Sequence, residues 1–110
     1  MTQGINVRAV RDEERAWVRQ FVAQRWSSEA VVVHGTVYHP AALPGFVALN
    51  DGARVGLVTY HVDGDACEIV NIDSLRPGEG VGTALVDAVK AEARRQGCRR
   101  LWVITIKQTY

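Results

Sequence analysis

The sequence predicts a mixed α+β domain, and three observations carry that prediction. β-Branched runs are separated by two hairpin signals, Asp51-Gly52 and Asp63-Gly64-Asp65. Two stretches, about 13–26 and 81–96, repeat apolar residues at helical spacing. The 110 residues are 47% hydrophobic and 23% charged, an ordinary globular composition. One domain over residues 1–110 follows.

Each element has its own reason. In "INVRAV" (5–10), Ile5, Val7 and Ala9 alternate with polar partners, which predicts a strand. Asp12 is placed to cap a helix from about 13 to 26, with Val18, Phe21, Val22 and Trp26 on one apolar face. "SSE" (27–29) ends it. "AVVVHGTVYHP" (30–40) is β-branched and reads as extended, with Pro40 and Pro44-Gly45 closing the loop. "GFVALN" (45–50), "ARVGLVTYHV" (53–62) and "ACEIVNIDSL" (66–75) read as a consecutive antiparallel meander. A helix over about 81–96 places Val81, Leu85, Ala88, Val89 and Glu92 on one side. Lys90, Arg94 and Arg95 sit late in it, where cations suit the helix dipole, and Gly97 stops it. "CRRLWVITI" (98–106) is a last strand. The order is β-α-β-β-β-β-α-β on one sheet.

Composition also excludes. A net charge of +1 argues against a nucleic-acid partner. The longest apolar run is far below the ~20 residues of a membrane span. "MTQGINVRAV" has no apolar signal-peptide core, so a cytoplasmic protein without a membrane partner is expected. Cys67 and Cys98 form no CxxC and are expected reduced and structural. His34, His39 and His61 lack metal-ligand spacing, so no metal is expected.

The stretch "RPGEGVGTAL" (76–85) carries the chemistry. Three glycines on alternate residues lead into a helix. Helix N-termini offer unpaired N–H groups and partial positive charge, and glycines let the backbone approach a phosphate closely. A tight turn needing positive φ is the alternative. A P-loop would need a lysine before Thr83, and a dinucleotide fingerprint would need Gly or Ala at Leu85. A diphosphate held by backbone N–H groups, with an extended arm beside the preceding strand, fits better and describes coenzyme A.

"GEGVGTALVDAVKAEARRQGCRRLWVIT" resembles the cofactor motif of the GNAT superfamily of N-acetyltransferases, in which a Q/R-x-x-G-x-G/A loop opens a helix. Gly80 and Gly82 match its two small positions, and the element order upstream also matches. The resemblance implies a GNAT-like fold, a mainly antiparallel mixed sheet flanked by helices. It implies that N–H groups from Glu79, Gly80, Val81, Gly82 and Thr83 bind the diphosphate of acetyl-CoA. It places the pantetheine arm on Asn71, Ile72 and Asp73, through a splayed opening beside the next strand. The motif's Gln or Arg falls on Pro77, with Arg76 one place earlier. Arg76 is a candidate phosphate ligand or a solvated loop charge.

Acetyl transfer needs a base for the amine proton, a polarised carbonyl and an outlet for the thiolate. Glu68 lies on the strand where many relatives carry a Glu base, and Asp73, nearer the expected thioester, is the alternative. Each has a structural reading too, an outward paired carboxylate or a hydrogen bond to the following loop. Backbone N–H groups near Ile72 would polarise the carbonyl. Tyr38 and Tyr60 are candidate acids or half-buried strand aromatics.

Relatives continue past this point with another helix and two strands, including an Asn near the cofactor and a Tyr acid, and "KQTY" matches neither. The resemblance therefore implies a domain without the family's C-terminal part. Apolar surface along 101–106, with Trp102, Ile104 and Ile106, would be left open, and a homodimer is expected to cover it. Two functions stay open. One is an acetyl-CoA-dependent N-acetyltransferase acting on a primary amine of a small molecule or peptide. The other is a catalytically impaired CoA-binding or dimerisation module.

Overall fold

In the computed structural model, residues 4–33 and 35–103 are described. The first strand, β1, is Asn6–Ala9. The spacing predicts a helix from about 13 capped by Asp12. Instead, residues Asp12–Glu14 make one tight 3-10 turn and helix α1 is Arg15–Trp26. The reason is Glu14. Its carboxylate reaches back to accept from the Arg11 N–H at 2.9 Å, while Asp12 makes only a loose ion pair with Arg15 at 3.9 Å. The apolar face is as predicted: Val18, Phe21 and Val22 are buried and Trp26 is half-buried. Ser27, in the left-handed region at φ 62°, ends the helix.

The 30–40 stretch is not one extended run. It folds back on itself as β2 (Val31–Val33) and β3 (Thr36–Tyr38), a separate antiparallel hairpin with Gly35 at φ +79° in its turn. The meander is as predicted: β4 (Gly45–Asn50), β5 (Ala53–Asp63) and β6 (Ala66–Ser74) pair antiparallel in sequence order. Asp51 and Gly52 join β4 to β5, both at positive φ, the backbone that matches strand twist in a two-residue hairpin. Helix α2 (Val81–Arg95) then crosses to β7 (Arg100–Val103), which lies parallel to β6. Residues 104–106, expected in the same strand, lie outside the described residues, as do His34 and Tyr110.

The main sheet runs β1-β4-β5-β6-β7 and is covered on both faces. On one face α2 lays Val81, Leu85, Val89 and Ala93 over Val58, Tyr60, Cys67 and Ile69. On the other, Val18, Phe21 and Val22 of α1 and Val31 of the hairpin pack over Leu57 and Val70. Each fully buried side chain of this kind contributes roughly 1.5–3 kcal/mol. Trp102 on β7 is half exposed.

One irregularity in β6 positions the site. From the hairpin end, β5 and β6 pair as Asp63↔Ala66, His61↔Glu68 and Tyr60↔Ile69, and then the register slips to Thr59↔Asn71. Val70 is the extra residue of a bulge. Asn71 thereby stays on the α1 face opposite Thr59, and Asp73 stays on it opposite Leu57, while Ile72 packs toward α2.

Candidate active site

The glycine turn lies between the end of β6 and the start of α2. Gly78 and Gly80 have φ of +82° and +86°, which side chains rarely adopt, and Gly80 is the residue that caps α2. The Ala84 N–H donates to the Gly80 carbonyl at 3.0 Å. The N–H groups of Val81, Gly82 and Thr83, just before this first donor, have no intrahelical acceptor. A Cβ built on Gly78, Gly80 or Gly82 would meet nothing within 4 Å, so this rim is open to an incoming group. Beside it runs a groove of about 450 Å³ lined by Ile72, Gly82, Thr83, Val86, Asp87 and Lys90. Arg76 and Glu79 stand across the loop from each other at 3.7 Å, both largely exposed, a pair worth little in stability.

On the opposite face of β6 are the two carboxylates. Asp73 is heavily committed. Its Oδ1 accepts from Arg25 Nε at 3.2 Å, and its Oδ2 accepts from Trp26 Nε1 at 2.7 Å and Asn71 Nδ2 at 3.2 Å. The Asn71 carbonyl oxygen in turn accepts from the buried Thr59 hydroxyl. The network ties the C-terminal end of α1 to the strand just before the glycine turn. Arg25 and Trp26 are functional candidates that carry no signal in the sequence, since they lie 48 and 47 residues from Asp73.

Glu68 is differently placed. Half-buried, it accepts one hydrogen bond among the described residues, from the Tyr38 hydroxyl at 3.0 Å. Burial pushes the Tyr38 hydroxyl above its ordinary pKa, and the bond to Glu68 raises it further. The His61 ring, cross-strand from Glu68, tilts against the Tyr38 ring at 5.5 Å between centroids. Tyr60 points to the other face and is buried in the α2 core.

The turn, the groove and Ile72 therefore gather on the α2 face. Glu68 and Tyr38 gather on the α1 face, with β6 between. No helix among the described residues is long and apolar enough to cross a membrane.

Residues 8–109 match the sequence model of the acetyltransferase (GNAT) family. The chain is similar to the uncharacterized protein YdhI of Bacillus subtilis (strain 168), at 35% identity over 86 residues, 77% of this chain and 54% of that one. It thus spans about half the length of the curated relatives it matches. Its fold is similar to that of a ribosomal-protein-alanine N-acetyltransferase from Brucella melitensis biovar Abortus 2308, with TM-score 0.74, 14% identity and coverage of 94% of this chain and 82% of that one. It is also similar to Rv2747 from Mycobacterium tuberculosis, solved with CoA, with TM-score 0.70, 23% identity and coverage of 93% and 65%.

Proposed function

Because the chain belongs to the acetyltransferase (GNAT) family, we propose that it is an N-acetyltransferase that takes acetyl-CoA as cosubstrate and acetylates a primary amine of a small molecule or peptide. The observation that carries this reading is the glycine turn at positive φ, opening α2 beside a groove along Ile72. A diphosphate suits that turn on physical grounds. The N–H groups of Val81, Gly82 and Thr83 lack intrahelical partners, the helix dipole adds positive charge, and no Cβ blocks the approach. Gly80 contributes backbone only, the Glu79 N–H is already held by the Arg76 carbonyl at 3.2 Å, and exposed Arg76, paired with Glu79, offers a charge at the loop. The pantetheine arm would follow β6 at Asn71–Asp73. Of these three, Ile72 faces the groove, while Asn71 and Asp73 serve through their backbone and hold the strand through their side chains.

The same geometry supports Glu68 over Asp73 as the base. Asp73 already accepts from three donors, one of them a guanidinium, and acts best as the anchor of β6. Glu68 accepts one bond and keeps its other oxygen for the amine. In the proposed reaction the thioester passes through an opening beside β6 to the face of Glu68, where the amine nitrogen bonds to the acetyl carbon and the carbon–sulfur bond breaks. Glu68 takes the amine proton, and the departing thiolate takes one from water. Backbone N–H groups near Ile72 polarise the carbonyl. The same reading includes a homodimer, supported by half-exposed Trp102 and tested by light scattering at micromolar concentration.

Calorimetric titration with acetyl-CoA, with ATP as control, tests the cofactor half. Micromolar binding of acetyl-CoA alone supports it, and an absence of binding sinks it. Thiol release over a panel of amines then tests transfer. Tight binding without any thiol release would favour a CoA-binding module instead.

A further inference from the structure

We propose that Tyr38 is a positioning residue for Glu68, so that the β2–β3 hairpin, outside the main sheet, sets the geometry of the proposed base. The inference rests on the acetyl-transfer reading above and deepens it.

The hairpin has an inside and an outside. Val31 and Tyr38 are register partners, and Val31 is buried in the α1-side core that Tyr38 packs against. Val32 and Val37 are the next register pair, and they are 51% and 54% exposed. The inward pair therefore docks the hairpin on the sheet, and Tyr38 is the inward residue that bears a polar tip. Its hydroxyl reaches Glu68, 30 residues away in sequence, at 3.0 Å.

A glutamate has three side-chain torsions, and a base is effective only in the rotamer that meets the proton. The Tyr38 hydroxyl carries one hydrogen and gives it to Oε1. That fixes the carboxylate while Oε2 stays available. Among the described residues Tyr38 is the hydrogen-bond partner of Glu68. His61 completes the arrangement from β5, where its ring limits the swing of the Tyr38 ring. A hydroxyl whose pKa is raised stays a donor throughout the range in which an acetyltransferase works.

The test uses Tyr38→Phe, Glu68→Gln and the double variant. The readouts are thiol release from acetyl-CoA with an amine panel, thiol release with water alone, and calorimetric acetyl-CoA binding. Tyr38→Phe keeps the ring and its packing and loses only the hydroxyl. The expected result is a kcat about tenfold lower, a share of the ~10²–10⁴ that a placed general base contributes. Acetyl-CoA affinity should be unchanged and the KM for the amine should stay within about twofold. In the Glu68→Gln background, Tyr38→Phe should cost nothing further. Two results overturn the proposal alone: wild-type kcat in Tyr38→Phe, or the same fractional loss with and without Glu68. A purely structural tyrosine would lower the melting temperature and leave kcat in place. A wild-type chain that binds no acetyl-CoA fails at the cofactor. One that binds it but releases no thiol to amine or water fails at the chemistry. Either of these removes the acetyl-transfer reading first, and the positioning role falls with it.

Discussion

Gly56 offers a way to move the glycine turn without touching it. It sits on β5 between Ala48 of β4 and Ser74 of β6, directly under the first turn of α2. A Cβ there would stand 2.6 Å from Val81 Cγ1, 3.0 Å from the Asp73 carbonyl oxygen and 3.1 Å from Leu85 Cδ1. Ordinary carbon contacts lie at ~3.5–4.0 Å, so Gly56→Ala forces a displacement of about 1 Å. Val81 and Leu85 are 1% and 0% exposed and have nowhere to turn, and the β-branched valine is also stiff. The helix start must therefore lift. Overpacking of this size costs roughly 1–3 kcal/mol, which in a domain of ~100 residues lowers the melting temperature by about 10 °C. The lift also carries the N–H groups of Val81–Thr83 away from a bound diphosphate, and acetyl-CoA affinity should fall about tenfold, near 1.4 kcal/mol. Urea melts and calorimetry read the two effects. Val81→Ala is the internal control. Alone it deletes two buried methyls and costs about 2 kcal/mol. Combined with Gly56→Ala it removes the closest clash, and the double variant should be less destabilised than the sum by about 1 kcal/mol. Strict additivity, or a Gly56→Ala chain as stable as the parent, would refute the packing argument.

Three further predictions can be checked directly. The Arg8 guanidinium holds the buried Glu14 carboxyl well below its usual range, at about 2 against an ordinary 4.5, helped by the Arg11 N–H and by Arg54. The folded value lies below the unfolded one, so this stabilisation is full above pH 4.5 and fades as pH falls toward 2. It amounts to about 3 kcal/mol, and urea midpoints should drop across that window in the parent and far less in Glu14→Gln. Glu68→Gln should cut kcat about 10²-fold or more while leaving acetyl-CoA binding intact, and equal turnover would remove Glu68 as the base. Cys67 is fully buried, and burial pushes its thiol to about 11, so a thiol-specific chromogenic reagent should label only half-buried Cys98 in the native protein and both cysteines in urea.

The elements that were legible in the sequence are those specified by short-range patterns. Asp51-Gly52 dictates a two-residue hairpin, the apolar stripe of 81–95 dictates a helix lying on a sheet, and the glycines at 78 and 80 mark a turn at positive φ leading into it. The 30–40 run misled because Val31–Val33 and Thr36–Tyr38 are equally β-branched, and only Gly35 between them marks the reversal. The start of α1 misled because the Glu14 carboxylate accepts from the Arg11 N–H, which makes Arg11 rather than Asp12 the residue that precedes the first turn. Beyond the glycine turn, candidate residues were read one at a time but their partners were not. The partners of Asp73 are Arg25 and Trp26, and the partner of Glu68 is Tyr38, and no local periodicity connects them. Register could have placed His61 opposite Glu68 by counting back from the Asp63-Gly64-Asp65 turn. The same count fails at Asn71, because the Val70 bulge shifts everything beyond it by one.

In the proposed reading, that bulge lets one strand serve both halves of the transfer site. A regular β6 would alternate faces without interruption, and Asn71 would face α2 if Glu68 faced α1. With Val70 inserted, Asn71 and Asp73 return to the α1 face, where Thr59, Arg25 and Trp26 hold them. Ile72 is left on the groove beside the glycine turn. The strand is thus gripped through its side chains from one side and presents apolar surface and backbone on the other. A rigid strand with one committed face and one open face suits an enzyme that must carry a long, flexible thioester past a fixed base. The committed face supplies the rigidity through Asp73, and it does so with a carboxylate that is thereby unsuited to be the base. Glu68, two residues before the bulge and outside the grip, is the carboxylate left for the proposed role of base, with Tyr38 holding one of its oxygens.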